Sequence, residues 1–275
     1  MPELPEVETI IRTLRPALIG KTILSTDLRW NRTLVSPAPV KFQMVIRGQR
    51  IQEIFRRAKV LDIKLSISHL IIHLRMSGDL LVILGGYQPA THDRLILSLT
   101  DDIKLVFSDP RKFGRVWLVD DPRVIFQNLG PEPLSDEFTA ARLHAALHTQ
   151  HRQLKGLLLN QSFLAGLGNI YTDEALHMAR LHPLTPSDTV TVEQAENLWM
   201  AIRHVLEEGI HRNGASIDWV YRGGDFQNHF RVYGRQGETC PVCGTEIERI
   251  VIGQRGTHIC PQCQTLTQNG EPERE

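Results

Sequence analysis

Four cysteines constrain this chain more than any other feature. They are the only cysteines in 275 residues, and all of them lie within "CPVCGTEIERIVIGQRGTHICPQC". Cys240 and Cys243 form one C-x-x-C pair and Cys260 and Cys263 a second, with sixteen residues between the pairs. That spacing suits four thiolates on one tetrahedral Zn²⁺. Two disulfides are the competing arrangement, which a reducing interior disfavours. With four thiolates and no open coordination position, one structural Zn²⁺ would fold the segment and take no part in chemistry. Between the pairs, "RIVIGQRGTHIC" predicts a hairpin whose turn presents Gln254, Arg255 and Gly256. A metal-fixed hairpin is a rigid way to aim a guanidinium at a phosphate, although an Arg on an exposed turn ordinarily has no such role.

The length allows a full core and more than one domain. The first residues lack the basic stretch and apolar run of a secretory signal, and no apolar run approaches the ~20 residues that span a membrane. The expected setting is therefore soluble and cytoplasmic, with a monomer as the default. Lys plus Arg equals Asp plus Glu at 31 each, so overall charge does not point to nucleic acid. Charge is nevertheless uneven: Arg47, Arg50, Arg56, Arg57, Lys59 and Lys64 face only Glu53 and Asp62 over the same stretch.

The chain begins "MPELPEVETIIRTL". Val7, Ile10, Ile11, Leu14 and Leu18 recur at helical spacing, Pro5 suits a first helical position, Glu6 and Glu8 suit the positive end of the helix dipole, and Pro16 with Gly20 would close the helix. From Lys21 to Val119 short β-rich runs follow, among them "FQMVIRGQRIQEIF" and "HLIIHLRM", divided by turn signals at Gly48, Gly85-Gly86 and Asp101-Asp102. They predict an antiparallel sandwich or barrel. "DDPRVIFQNLGPEPLSDEF" reads as a linker. Helical patterns then cover 139–148, 151–159, 169–180 and 192–210. The fold class is α+β multidomain: an N-terminal antiparallel β-sandwich with an N-terminal helix over 1–132, a helical domain over 133–228, a zinc-finger hairpin over 229–267 and a tail over 268–275.

"FLAGLGNIYTDEAL" resembles a phosphate loop but has Tyr171 where the third glycine of G-x-G-x-x-G belongs, and helix precedes it, which excludes dinucleotide binding. It reads instead as a glycine turn between two helices, with Asn169 as N-cap; such a turn is either structural or a holder of a DNA phosphate on helix-terminal N–H groups. Glu174 reads as a charge that compensates the dipole of the second helix. "SDPRKFGRVWLV" and "HLRMSGDL" place Arg111, Phe113 and Met76 near turns. Taken singly these are core or surface residues. A basic residue beside an apolar wedge is also what duplex-kinking proteins insert between bases.

Taken together, "PELPEVE", "RRAK" at 56–59, "HLRMSG" at 73–78, "DPRKFG" at 109–114, "GLGNIYTDEAL" at 166–176 and "VYGR" leading into the cysteines resemble the formamidopyrimidine-DNA glycosylase family. The resemblance covers all but the tail. It implies a helix–two-turn–helix element in the helical domain, damaged double-stranded DNA as the partner, and excision of oxidised purines followed by cleavage of the abasic site through successive β,δ-elimination. It also implies that Met1 is removed and that the amine of Pro2 attacks C1′ of the sugar. An α-amino group has an unperturbed pKa of roughly 7.7–8.0, so much of it is neutral near pH 7, unlike a lysine at ~10.4. By the same resemblance Glu3 is the general acid/base, Lys59 the proton donor of the first elimination and Arg255 that of the second. A guanidinium is a poor proton donor, so charge stabilisation is the physical expectation for Arg255. Met76, Arg111 and Phe113 would fill the space left by the flipped nucleotide, while His92, Arg111, Lys155, Asn169 and Arg255 contact phosphates. His73 would bind or orient, and Glu6 would help hold the site.

The stretch over 213–235, "NGASIDWVYRGGDFQNHFRVYGR", with Trp219, Tyr221, Gly223 and Gly224, departs from the commonest form of the family's loop over the flipped base. Leu4 favours the purine branch, because the pyrimidine-lesion branch usually carries Gly there. The alternatives are an endonuclease VIII-like glycosylase for oxidised pyrimidines and a non-catalytic zinc-finger DNA-binding protein.

Overall fold

Helix α1 (Leu4–Leu18) forms where the 3.6-residue pattern requires it, with Val7, Ile10, Ile11, Leu14 and Leu18 buried along one face. Glu3 is its N-cap. The N–H of Glu3 donates to Glu6 Oε2 at 2.7 Å, closing a capping box, and Pro5 sits in the first turn, where a missing N–H costs nothing. Pro16 does not end the helix but lies inside its last turn; the chain departs through Ile19 and Gly20, whose φ is 87°.

The structure is a computed structural model and describes residues 2–216 and 223–266. The chain divides into two compact units, Met1–Asn128 with Asn213–Gly224, and Leu129–Arg212 with Asp225–Glu275. In the first unit β1 (Ile23–Leu28), β6 (Asp79–Leu84), β7 (Asp93–Leu99) and β8 (Ile103–Ser108) form an antiparallel sheet in the order β1-β7-β8-β6. A second sheet runs β2-β9-β5-β4-β3, from β2 (Leu34–Ser36), β3 (Ile51–Arg57), β4 (Val60–Leu65), β5 (His69–His73) and β9 (Arg115–Val119). It is antiparallel except where β2 pairs parallel to β9. One core joins both sheets and α1: Leu95, Leu97, Leu105 and Phe107 of the first meet Ile54, Leu61, Ile63, Leu70 and Ile72 of the second, with Ile11 and Leu14. This is the expected sandwich.

One expected strand segment is helical. Pro39–Ile46 forms α2, with Pro39 in its first turn and Phe42 and Ile46 buried four residues apart on one face. A β-branched, apolar run is ambiguous between the two periods when it is this short, and burial of the i, i+4 pair decides for helix. Within the expected linker only a short helix forms, α3 (Arg123–Phe126).

In the second unit, α4 (Ala140–His148) and α6 (Asn169–Met178) pack against α7 (Val192–His211). Thr139 caps α4, and Thr191 with Gln194 forms a capping box on α7. Tyr171 stacks on Phe226 at 5.1 Å, and a Cβ added to Gly209 of α7 would lie 2.5 Å from the Tyr171 ring, so the helix carries glycine where that ring approaches. Helix α5 is short (Leu154–Leu158) and starts later than its sequence pattern, because Gln153 is extended and pairs with Pro186 in an isolated antiparallel bridge. Between α5 and α6 the Gln161 side chain donates to the carbonyls of Leu159 and Leu167 and accepts from Gly166 N–H, which fixes the glycine turn. The finger adds β10 (Glu248–Ile252) and β11 (Arg255–Ile259), joined by Gly253 and Gln254 at φ 54° and 63°. Two positive φ values in a two-residue loop make a I′-type hairpin, so Arg255 opens the second strand instead of sitting in the turn. Among the described residues no helix is long and apolar enough to cross a membrane.

Candidate functional site

In the first unit Pro2, Glu3 and Glu6 are all buried, an unusual condition for the start of a chain. Glu6 makes two connections. Its Oε2 takes the Glu3 N–H, and its Oε1 accepts from Ala215 N–H at 2.8 Å. Gly214, at φ 78°, passes so close that an added Cβ would lie 2.8 Å from Glu6 Oε1; a side chain there would be both strained and clashing. The base of the 213–224 segment is thus pinned to the first turn of α1. Trp219 and Tyr221 lie outside the described residues.

"RRAK" joins the same neighbourhood. Arg56 bonds Glu8 of α1 at 3.2 Å and the carbonyl of Ala58 at 3.0 Å, so one guanidinium ties α1 to the β3–β4 turn. Ala58 takes φ 54° in that turn, and Lys59, which follows it, is buried at 5% exposure, unlike an ordinary turn lysine. His73 lies across from Val60 in register. Burial, with Arg75 and then Lys59 nearby, pushes its imidazole down to about 3, and its Nδ1 accepts from Arg75 N–H at 3.1 Å. His73 is therefore a neutral hydrogen-bonding group and not a cation for phosphate.

The residues expected to enter the duplex are brought together by a buried carboxylate, the first residue of "DPRKFG", to which the sequence assigned no role. Asp109 Oδ1 accepts from Ser77 Oγ–H and, at 3.2 Å, from Arg111 N–H; Oδ2 accepts from Gly114 N–H at 2.7 Å. Asp109 N–H donates to the His92 carbonyl at 2.8 Å. One fully buried residue therefore binds the Met76 loop, the His92 loop and the Arg111–Phe113 loop into one cluster. The outer ends of that cluster are exposed: Met76 at 39%, Phe113 at 46%, with Arg111 stacked over the Phe113 ring at 5.0 Å and His92 open to solvent. Gly114 and Gly78 both lie against the Phe107 ring, where an added Cβ would come within 2.3 and 2.8 Å of it.

In the second unit α6 carries the contacts. Asn169 Nδ2 donates to the Gly256 carbonyl at 2.9 Å, beside the exposed Arg255. Its Oδ1 is buried with no hydrogen-bond partner among the described residues. Asn169 is the first helical residue, and the N-cap is Gly168, which corrects the expectation. Lys155, expected at a phosphate, is 0% exposed in the DNA-free chain; its ammonium pairs with Asp173 Oδ1, and it donates to the Asn169 carbonyl. It holds the helix start in place from inside. Asp173 Oδ2 in turn accepts from His258 N–H at 3.0 Å on β11. Glu174 is no simple dipole charge either. Buried, it accepts three N–H bonds from Arg231, Val232 and Tyr233, and burial still pushes its carboxyl upward against their pull.

The four cysteine sulfurs lie within 4.8 Å of one another, with Cys240···Cys263 at 3.9 Å and Cys243···Cys260 at 3.4 Å. Four thiolates at a Zn–S distance of about 2.3 Å would have edges of about 3.8 Å, so the donor set fits tetrahedral zinc. A disulfide would need about 2.05 Å. Val232, Ile247 and the buried cysteines form the finger's own small core.

A sandwich with a buried chain start, exposed wedge residues on tied loops, and a thiolate finger docked on a helical module define a multidomain protein that works on nucleic acid. Family models agree: the formamidopyrimidine-DNA glycosylase N-terminal domain matches residues 1–116, its H2TH domain 129–220, and the zinc finger found in FPG and IleRS 237–266. The formamidopyrimidine-DNA glycosylase of Chloroflexus aggregans is 47% identical over 98% of this chain and 100% of its own length, and that of Halalkalibacterium halodurans 41% identical over 96% and 100%. Among solved structures, MutM in complex with DNA containing carbocyclic 8-oxo-G shares 35% identity at a TM-score of 0.91, and a Lactococcus lactis Fpg complex with DNA containing FAPY-dG 34% at 0.90; each is matched over 96% of this chain and 100% of the other. The chain belongs to the formamidopyrimidine-DNA glycosylase family.

Asp109→Ala would take the acceptor from two buried donors, Ser77 Oγ–H and Gly114 N–H, while Arg111 N–H keeps Ser77 Oγ at 3.2 Å, so we expect a loss of about 3 kcal/mol of unfolding free energy in urea titration. An unchanged midpoint would refute the hub. For His73 we expect no titration step between pH 5 and 8 in ¹⁵N-detected NMR. Because its folded value is depressed from 6.5 to about 3, its contribution to stability is complete above pH 6.5 and declines as pH falls toward 3. An ordinary midpoint near 6.5 would contradict this burial.

Proposed function

We propose that this chain excises oxidised purines, 8-oxoguanine and formamidopyrimidines, from double-stranded DNA and then cleaves the abasic site. The observation that carries the reading is full-length likeness to enzymes of that name combined with a buried, capped Pro2–Glu3 start and a buried Lys59 in the turn that Arg56 ties to α1. After loss of Met1, the Pro2 amine attacks C1′ and the damaged base departs. A secondary amine gives an iminium, an electron sink that acidifies the C2′ proton. Glu3 serves as general acid/base for the sugar and its ring oxygen. Lys59 donates a proton in the elimination of the 3′ phosphate, and Arg255 stabilises phosphate charge during loss of the 5′ phosphate, leaving a one-nucleoside gap.

Flipping the nucleotide costs a few kcal/mol, and inserted side chains offset it. Met76, Arg111 and Phe113 suit that insertion, being two exposed apolar side chains and a guanidinium on loops held by one carboxylate. His92, Arg111, Asn169 and Arg255 are the phosphate contacts in this reading, with Lys155 positioning Asn169. Zinc, where bound, supplies only the rigidity of the hairpin that carries Arg255.

The test is cleavage of duplexes bearing one lesion by zinc-loaded protein lacking Met1. We expect cleavage at 8-oxoguanine leaving phosphate on both sides of the gap, and a fall of about 10²–10⁴ in strand cleavage with Lys59→Ala. Preference for thymine glycol would establish the pyrimidine-lesion reading instead. No cleavage of either would establish a DNA-binding protein without chemistry.

A further inference from the structure

The last turn of α6 holds a histidine that the reaction does not use. His177 is 2% exposed, and its Nε2 lies 3.4 Å from Cys240 Sγ. Its Nδ1 is buried with no partner among the described residues. Asn169, Asp173 and His177 stand four residues apart, so all three lie on one face of α6. The first two already grip the finger, through the Gly256 carbonyl and the His258 N–H. His177 makes the third grip, and it falls on a sulfur that holds the metal.

We infer that His177 is a positioning residue for the zinc centre, donating its Nε2–H to the Cys240 thiolate. A metal-bound thiolate has no proton to give, so the contact is attractive only when the imidazole nitrogen is the donor. Four thiolates around Zn²⁺ leave a net charge of −2 in a partly buried site, and each N–H aimed at a sulfur offsets part of it. Backbone groups do some of this: Val242 N–H reaches Cys240 Sγ and Cys263 N–H reaches Cys260 Sγ, each at 3.4 Å. Cys240 is buried at 3% exposure, where water does little to share its charge, so a second donor matters there. The bond also links the metal to the helix whose first residue, Asn169, meets the finger's hairpin. The inference concerns the metal site alone and stands whichever lesion the protein excises.

The test uses the full, metal-loaded chain with two variants. His177→Phe keeps an aromatic volume and removes the donor; His177→Gln places an amide N–H near the position of Nε2. Zinc transfer to a chromogenic chelator should be about 10-fold faster in the Phe variant and close to the parent rate in the Gln variant. In the ¹¹³Cd-substituted parent, long-range ¹⁵N correlation should find the imidazole protonated at Nε2, with a scalar coupling from ¹¹³Cd through sulfur to that proton. A purely space-filling histidine would not produce this coupling. Parent-like zinc transfer in His177→Phe, or an imidazole protonated at Nδ1 alone, would overturn the assignment.

Discussion

The carboxylate of Glu6 is the constraint on which the rest depends. It lies in the first turn of α1, takes the N–H of Glu3 with one oxygen and that of Ala215 with the other. Chain ends ordinarily fray because nothing accepts their first N–H groups. Here a buried side chain accepts one, and the apolar face of α1 anchors the helix in the sandwich core. Two segments 209 residues apart in sequence are thereby held at one pair of oxygens, and Gly214 is glycine because a side chain would collide with them.

The same device recurs. Asp109 gathers three loops, Asp173 joins Lys155 to the finger strand, and Glu174 takes three consecutive N–H groups ahead of the cysteines. Each is a buried carboxylate that accepts from backbone donors. Removing it would leave several polar groups without partners, which costs more than any single bond contributes. Exposed residues such as Arg111, Phe113 and Arg255 meet the solvent; these carboxylates decide where they stand.

Much of this is legible in the sequence. The period-2 runs mark the strands, the α1 stripe marks the first helix, and the cysteine spacing marks a four-sulfur cluster. Phe42 and Ile46 escape such a reading because five apolar residues fit either period until burial chooses. Lys155 escapes it for a related reason: a lysine is ordinarily exposed, and the pairing with Asp173, eighteen residues on, makes its burial tolerable. Asp109, Asp173 and Glu174 are hidden as organisers because many of their partners are backbone N–H groups, which leave no mark in a sequence. His177 shows the limit most clearly, since its partner Cys240 is 63 residues away.

We propose that the tightly held chain start is the reacting group. Borohydride reduction during incubation with a lesion-bearing duplex, followed by proteolysis and mass spectrometry of the DNA-linked peptide, tests it most directly. The expected product carries the sugar on the nitrogen of Pro2 in a peptide that lacks Met1. A link at Lys59 or any other internal lysine, or no trapped adduct from protein that cleaves the duplex, would contradict it.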